Sequence, residues 1–165
     1  MVQKSKPALP AGAFAENVKG TVLIIEARFY EDIAEELAAG AIAELEAHGI
    51  AYKRVAVPGA LEIPQALAAA APLFDDDIYA GAIALGCVIR GETTHYETVC
   101  HNANHWLMDV AINSLIPVGN AILTVETREQ ALARAQGGRD GKGGDAARAC
   151  LKLIAIQHDF AGQFE

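Results

Sequence analysis

The stretch TVLIIEARFYEDIAEELAAGAIAELEAHGIAYKRVAV, Thr21 to Val57, decides the fold class. It opens on TVLIIEAR, a short β-branched run without strict polar alternation. That is the pattern of a strand covered on both faces, as in a parallel sheet. From about Glu31 to His48, Ile33, Leu37, Ala41 and Leu45 recur at spacing four, with Glu35, Glu36, Glu44 and Glu46 off that stripe. This predicts an amphipathic helix, closed by Gly49 as its C-terminal cap. AYKRVAV, Ala51 to Val57, reads as a second strand. Strand, helix and strand in this order form a unit whose two strands run parallel.

The pattern continues toward the C-terminus. Pro58-Gly59 marks a turn, and Pro64 in LEIPQALAAAA suits the first turn of a helix. YAGAIALGC, Tyr79 to Cys87, is a third strand. A polar loop, IRGETT, leads into a long helix from about His95 to Leu115, which Pro117 closes. VGNAILTV, Val118 to Val125, is a fourth strand, and Arg128 to Gln136 a short helix. GGRDGKGG reads as a flexible loop before a last helix from Asp145 to about His158. The expected architecture is a three-layer α/β/α sandwich around a four-stranded parallel sheet. In such sheets ligands bind beyond the carboxyl ends of the strands. Residues 1–19, broken by Pro7, Pro10 and Gly12, form an irregular arm, and residues 20–165 a single domain. No internal repeat of 20–50 residues is visible.

Composition limits the function classes. Of 165 residues, 13 are Lys or Arg and 21 Asp or Glu, a net charge of −8. An acidic chain is poorly suited to non-specific binding of nucleic acid or anionic membrane. No apolar run reaches the ~20 residues needed to span a bilayer, and the N-terminus carries no signal-peptide pattern. Cys87, Cys100 and Cys150 are odd in number and form no CxxC pair, which argues against a disulfide framework and for a reducing cytoplasm. Six of the thirteen bases lie between Arg128 and Lys152, a local enrichment that suggests an anion site.

The strand ends carry the candidate chemistry. In GCVIRGETTHYETVCHNANH, Gly91 lets backbone approach a ligand closely. Thr94 and Glu97 have capping-box spacing, so a helix starts near His95. Its unpaired N–H groups and positive dipole end suit a phosphate, and His95 can move protons near neutral pH. The plain alternative is an ordinary strand–loop–helix connection with a surface histidine. Glu62, past a strand-end Pro-Gly, can accept from substrate hydroxyls or hold the turn. Phe29 can stack on a flat ring or cover the sheet edge. Arg134 and Lys142 flank a Gly-rich loop, where a guanidinium suits phosphate. His101 and His105 share a helix face and could hold a metal, but Asn102 stands where metalloprotease helices carry their acid, and no third ligand is evident.

PGALEIP, ALGCVIRGETTHYE, GNAILTVE and the Arg134…Lys142-Gly143…Asp145 spacing together resemble the lumazine synthase family, from about Val22 to Phe160. The resemblance implies a flavodoxin-like sandwich. It implies condensation of 5-amino-6-(D-ribitylamino)uracil with 3,4-dihydroxy-2-butanone 4-phosphate, with no cofactor and no metal. Carried over by position, Phe29 is similar to the aromatic that stacks on the pyrimidinedione, and Ala60, Leu61 and Glu62 to the ribityl-binding segment. Cys87, Val88 and Ile89 match the strand end that pairs with the pyrimidine edge, and Glu92 and Thr93 the backbone phosphate cradle. His95 matches the proton-transfer histidine, Arg134 the phosphate-binding arginine and Lys142 a lysine near the ring. Two positions depart from the pattern. Asn120 stands where many members have a Phe that reaches the adjacent subunit's site, and Glu92 where many have Ala. The resemblance also implies homo-oligomers, a pentamer at least and in some members a sixty-subunit shell. A flavin- or lumazine-binding storage protein on the same scaffold is the competing expectation.

Overall fold

In a computed structural model, residue 12 and residues 14–163 are described. Most of the expected N-terminal arm therefore lies outside the described residues. Within it, Phe14 is buried and meets the His48 ring edge-on, with centroids 5.1 Å apart.

The strands are β1 (Thr21–Ala27), β2 (Tyr52–Val57), β3 (Tyr79–Ile89) and β4 (Val118–Val125), all parallel, in the order β2-β1-β3-β4. The helices are α1 (Glu31–Ala47), α2 (Glu62–Ala70), α3 (Pro72–Asp75), α4 (His95–Asn113), α5 (Arg128–Ala135) and α6 (Lys142–Ala161), with a 3₁₀ turn at Gly138–Asp140. Helices α1, α5 and α6 cover one face of the sheet, and α2, α3 and α4 the other. The expected three-layer sandwich is thus the fold.

Burial on both faces explains the missing alternation in β1. Val22 and Ile24 join the core under α1 and α6, while Leu23, Ile25 and Ala27 join the core under α2 and α4. The edge strand β2 reads YKRVAV and is partly covered: Tyr52, Val55 and Val57 are half-buried against the two cores, while Lys53, Arg54 and Ala56 are exposed. Gly49 ends α1 as expected, with a positive φ of 69° and its N–H donating to Glu46 O.

Three expectations need correction. First, GGRDGKGG is no flexible loop. It forms the 3₁₀ turn and the first turn of α6, and Gly143 and Gly144 are buried. A Cβ on Gly143 would sit 1.9 Å from Leu37 O, so this turn packs backbone-to-backbone against α1. The glycines are there for close approach, which local composition does not distinguish from looseness.

Second, four of the six bases between Arg128 and Lys152 pair with carboxylates of the same chain, which narrows the expected anion site without removing it. Glu44, off the apolar stripe of α1, is fully buried. Its carboxylate accepts from Arg139 Nε at 2.7 Å, Arg148 Nη1 at 2.8 Å and pairs with His48 Nε2 at 3.0 Å. Burial pushes this carboxyl up, but the hydrogen bonds from Arg139 and His48 and the charge of Arg148 together hold it below its ordinary value. Arg128 pairs with Asp32, and Lys142 with Asp145 at 3.1 Å.

Third, the Thr94–Glu97 capping box does not form. Thr94 makes no side-chain cap bond, and Glu97 pairs with Arg90 instead.

Candidate active site

A cleft of about 390 Å³ opens at the carboxyl ends of β1, β2 and β3, against the start of α4. Each wall comes from one strand end. After β1 the chain leaves as Arg28-Phe29-Tyr30. Phe29 is 72% exposed at the rim and meets Tyr30 edge-on, with centroids 5.0 Å apart. An aromatic face left this open is a platform for a flat ring.

After β2, Pro58-Gly59 turns the chain into α2, with Glu62 N donating to Gly59 O. The Glu62 carboxylate folds back over the turn: Oε2 lies 3.1 Å from where a Cβ on Gly59 would sit. Ala60 and Leu61 complete this wall.

The third wall is the end of β3. Its register with β1 stops at Leu85, whereas pairing with β4 continues to Ile89. Cys87, Val88 and Ile89 therefore extend past the end of β1 at Ala27, where β3 keeps its register with β4 alone. Backbone N–H and C=O groups facing a cleft bind the donor and acceptor edge of a planar heterocycle well. Burial pushes the Cys87 thiol up to about 11, so it stays protonated and serves as packing rather than as a nucleophile.

Gly91, Thr93, His95 and Tyr96 close the cleft. Thr93 Oγ1 accepts from His95 N at 3.3 Å, and the α4 start is uncapped by Thr94. Donors at a helix start, next to an exposed imidazole, can grip an anion and move a proton beside it.

Nine expected site residues thus share one cleft: Phe29, Ala60, Leu61, Glu62, Cys87, Val88, Ile89, Thr93 and His95. Glu92 is exposed on the same loop but does not line it. Asn120, Arg134 and Lys142 lie elsewhere on the chain. Asn120 donates to Asn104 Oδ1 and accepts from Ile122 N, both at 2.8 Å. Arg134, in the last turn of α5, donates to Gln130 O at 2.9 Å. Lys142 opens α6.

Reading the residues in order missed Tyr30, Tyr96 and Val99 as lining residues. Their adjacency to Phe29 and His95, and the helical step from His95 to Val99, were the available signals. His101 and His105 line a second, open depression between α4 and β4 with Tyr96, Cys100 and Thr124. Among the described residues no group of three or more His, Cys, Asp or Glu is placed to hold a metal ion. Nor is any described helix long and apolar enough to cross a membrane.

Comparison with known proteins agrees with the cleft. The sequence profile described as 6,7-dimethyl-8-ribityllumazine synthase matches residues 19–158. The chain is 48% identical to the protein of that name from Methylorubrum populi, covering 95% of both chains. It is 50% identical to that of Methylobacterium radiotolerans, over 92% of this chain and 88% of the relative. It is 49% identical to that of Azorhizobium caulinodans, over 95% and 97%. A match this long, at about half identity, means that the chain belongs to the 6,7-dimethyl-8-ribityllumazine synthase family.

Proposed function

We propose that this chain makes 6,7-dimethyl-8-ribityllumazine by condensing 5-amino-6-(D-ribitylamino)uracil with 3,4-dihydroxy-2-butanone 4-phosphate, releasing phosphate and water, in riboflavin biosynthesis. One observation carries the reading: an exposed aromatic, the end of β3, a carboxylate, the start of α4 and a histidine line a single cleft.

Each part has a task. Phe29 stacks on the pyrimidinedione. The backbone of Cys87, Val88 and Ile89 pairs with its polar rim, and Ala60, Leu61 and Glu62 receive the ribityl hydroxyls. Glu92 and Thr93 lend backbone N–H groups to the phosphate. Attack of the uracil amine on the ketone gives a carbinolamine that loses water to an imine; after phosphate leaves, the resulting enol becomes a carbonyl, and the ribitylamino nitrogen closes the ring on it with loss of a second water. His95 ferries the protons, a role typically contributing ~10²–10⁴-fold. As phosphate departs, its growing charge is met by N–H groups and by a guanidinium. Holding two small reactants together supplies much of the remaining acceleration.

The guanidinium is that of Arg134, supplied by a second copy of the chain together with Asn120 and Lys142. Their separation from the cleft within one chain supports this sharing. A pentamer is the smallest assembly on this reading. The test is to mix the purified protein with both substrates and follow the product's absorbance and fluorescence. Turnover above the spontaneous rate is expected, and its absence rejects the function.

A further inference from the structure

We propose that Arg90 is a positioning residue for this site: it clasps the 91–94 loop shut, and so sets where His95 and the phosphate-binding N–H groups stand. The consequence for catalysis rests on the function proposed above; the clasp itself does not.

Arg90 sits where β3 ends, and its backbone N–H donates to Val125 O at 2.9 Å, tying it to the end of β4. Its side chain then reaches three places at once. Nε pairs with Glu126 Oε2 at 2.8 Å, just past β4. Nη1 donates to Glu97 Oε1 in the first turn of α4. The guanidinium carbon lies 4.2 Å from the centroid of the Tyr96 ring. A planar fork with a stacking face can satisfy two carboxylates and a ring together, and an ammonium cannot.

The geometry matters because Arg90 and Glu97 bracket the loop and His95 between them. Within that span Gly91 adds backbone freedom, and the bond from His95 N to Thr93 Oγ1 is a long one, 3.3 Å. Arg90 does not line the cleft, whereas its neighbours Tyr96 and His95 do. It therefore acts through them. Its charge is already met by two carboxylates, which leaves phosphate to other donors.

Glu97 bonds Arg90 through Oε1 alone; its Oε2 is buried without a hydrogen-bond partner.

The full-length protein and its R90Q, R90K, E97Q and R90Q/E97Q variants distinguish the possibilities. Amide hydrogen exchange at residues 91–96 reads the clasp independently of activity, and inorganic phosphate serves as the anion probe. Exchange about tenfold faster is expected in R90Q and E97Q. KM for the butanone phosphate and Kd for inorganic phosphate should each rise about five- to tenfold in both, with KM for the ribitylaminouracil within about twofold. R90K should recover part of the loss, and the double variant should be no worse than R90Q.

The opposite sign for E97Q overturns the proposal. If freeing Arg90 tightens phosphate while R90Q weakens it, Arg90 is a direct phosphate ligand. Unchanged exchange, or equal rises in both KM values tracking thermal stability, also overturns it. Faster exchange and weaker phosphate binding in a protein that makes no lumazine would leave the clasp standing and reject the function instead.

Discussion

His95 begins α4 with its imidazole exposed to the cleft and its N–H held by Thr93. A proton carrier needs this placement: a ring free to reach the substrate on a backbone that does not drift. His95→Ala should lower kcat by roughly 10–100-fold with little change in either KM, because much of the rate comes from holding the substrates together. An unchanged kcat would remove His95 from the proton path. Arg134→Ala should act differently and mainly raise KM for the phosphorylated substrate, by roughly tenfold, as one charge-assisted contact is lost. The same rise in KM for the other substrate would show that Arg134 is misassigned. Phe29, His95 and Glu62 were legible as candidates because strand ends can be read from the hydrophobic pattern. The pairing of Arg90 with Glu97 was not, since T-x-x-E spacing equally suggests a capping box, and only the position of Arg90 decides the competition for the carboxylate.

At the scale of elements, the buried ion cluster locks α1 to α6. Glu44 is enclosed by His48 from its own helix, Arg148 from α6 and Arg139 from the 3₁₀ turn. Its carboxyl is held below the ordinary value near 4.5, so its contribution to stability is fully present above that pH. The contribution is lost as pH falls through the lowered value. Glu44→Gln should cost roughly 1–3 kcal/mol at pH 7, because it takes the carboxylate from Arg148 and the partly exposed Arg139. Urea unfolding of both proteins across pH 7 to 3 checks this. The gap between them should stay constant down to about pH 5 and shrink below about 4.5. A gap that widens in acid would reverse the assignment. The periodicity of α1 is plain in sequence, but it places Glu44 off the apolar stripe. Burying that residue needs two arginines about a hundred positions downstream.

For the whole molecule, the proposed division of the site between copies makes a quantitative prediction. Neither His95→Ala nor Arg134→Ala should be fully active alone at low phosphate-substrate concentration. Co-assembled in equal amounts, about a quarter of sites would combine an intact His95 with an intact Arg134 from the neighbour. Activity should recover to that level after mixing under conditions that exchange subunits. No recovery would place both residues in one chain's site, or show that Arg134 has no part in it.

By itself the sequence determined the order of helices and strands, the parallel sheet, the strand ends where the cleft lies and the family. These follow from short-range periodicity, turn chemistry and contiguous motifs, each written within a few residues of its effect. Tertiary structure alone decided that β3 overhangs β1, that Glu44 is buried among Arg139, Arg148 and His48, that a glycine-rich segment is a close-packed helix start, and that Arg90 spans β3, β4 and α4. The physical reason is that register, burial of a charge and choice of ion partner depend on groups far apart in sequence. Their proximity exists only once the helices have closed on the sheet.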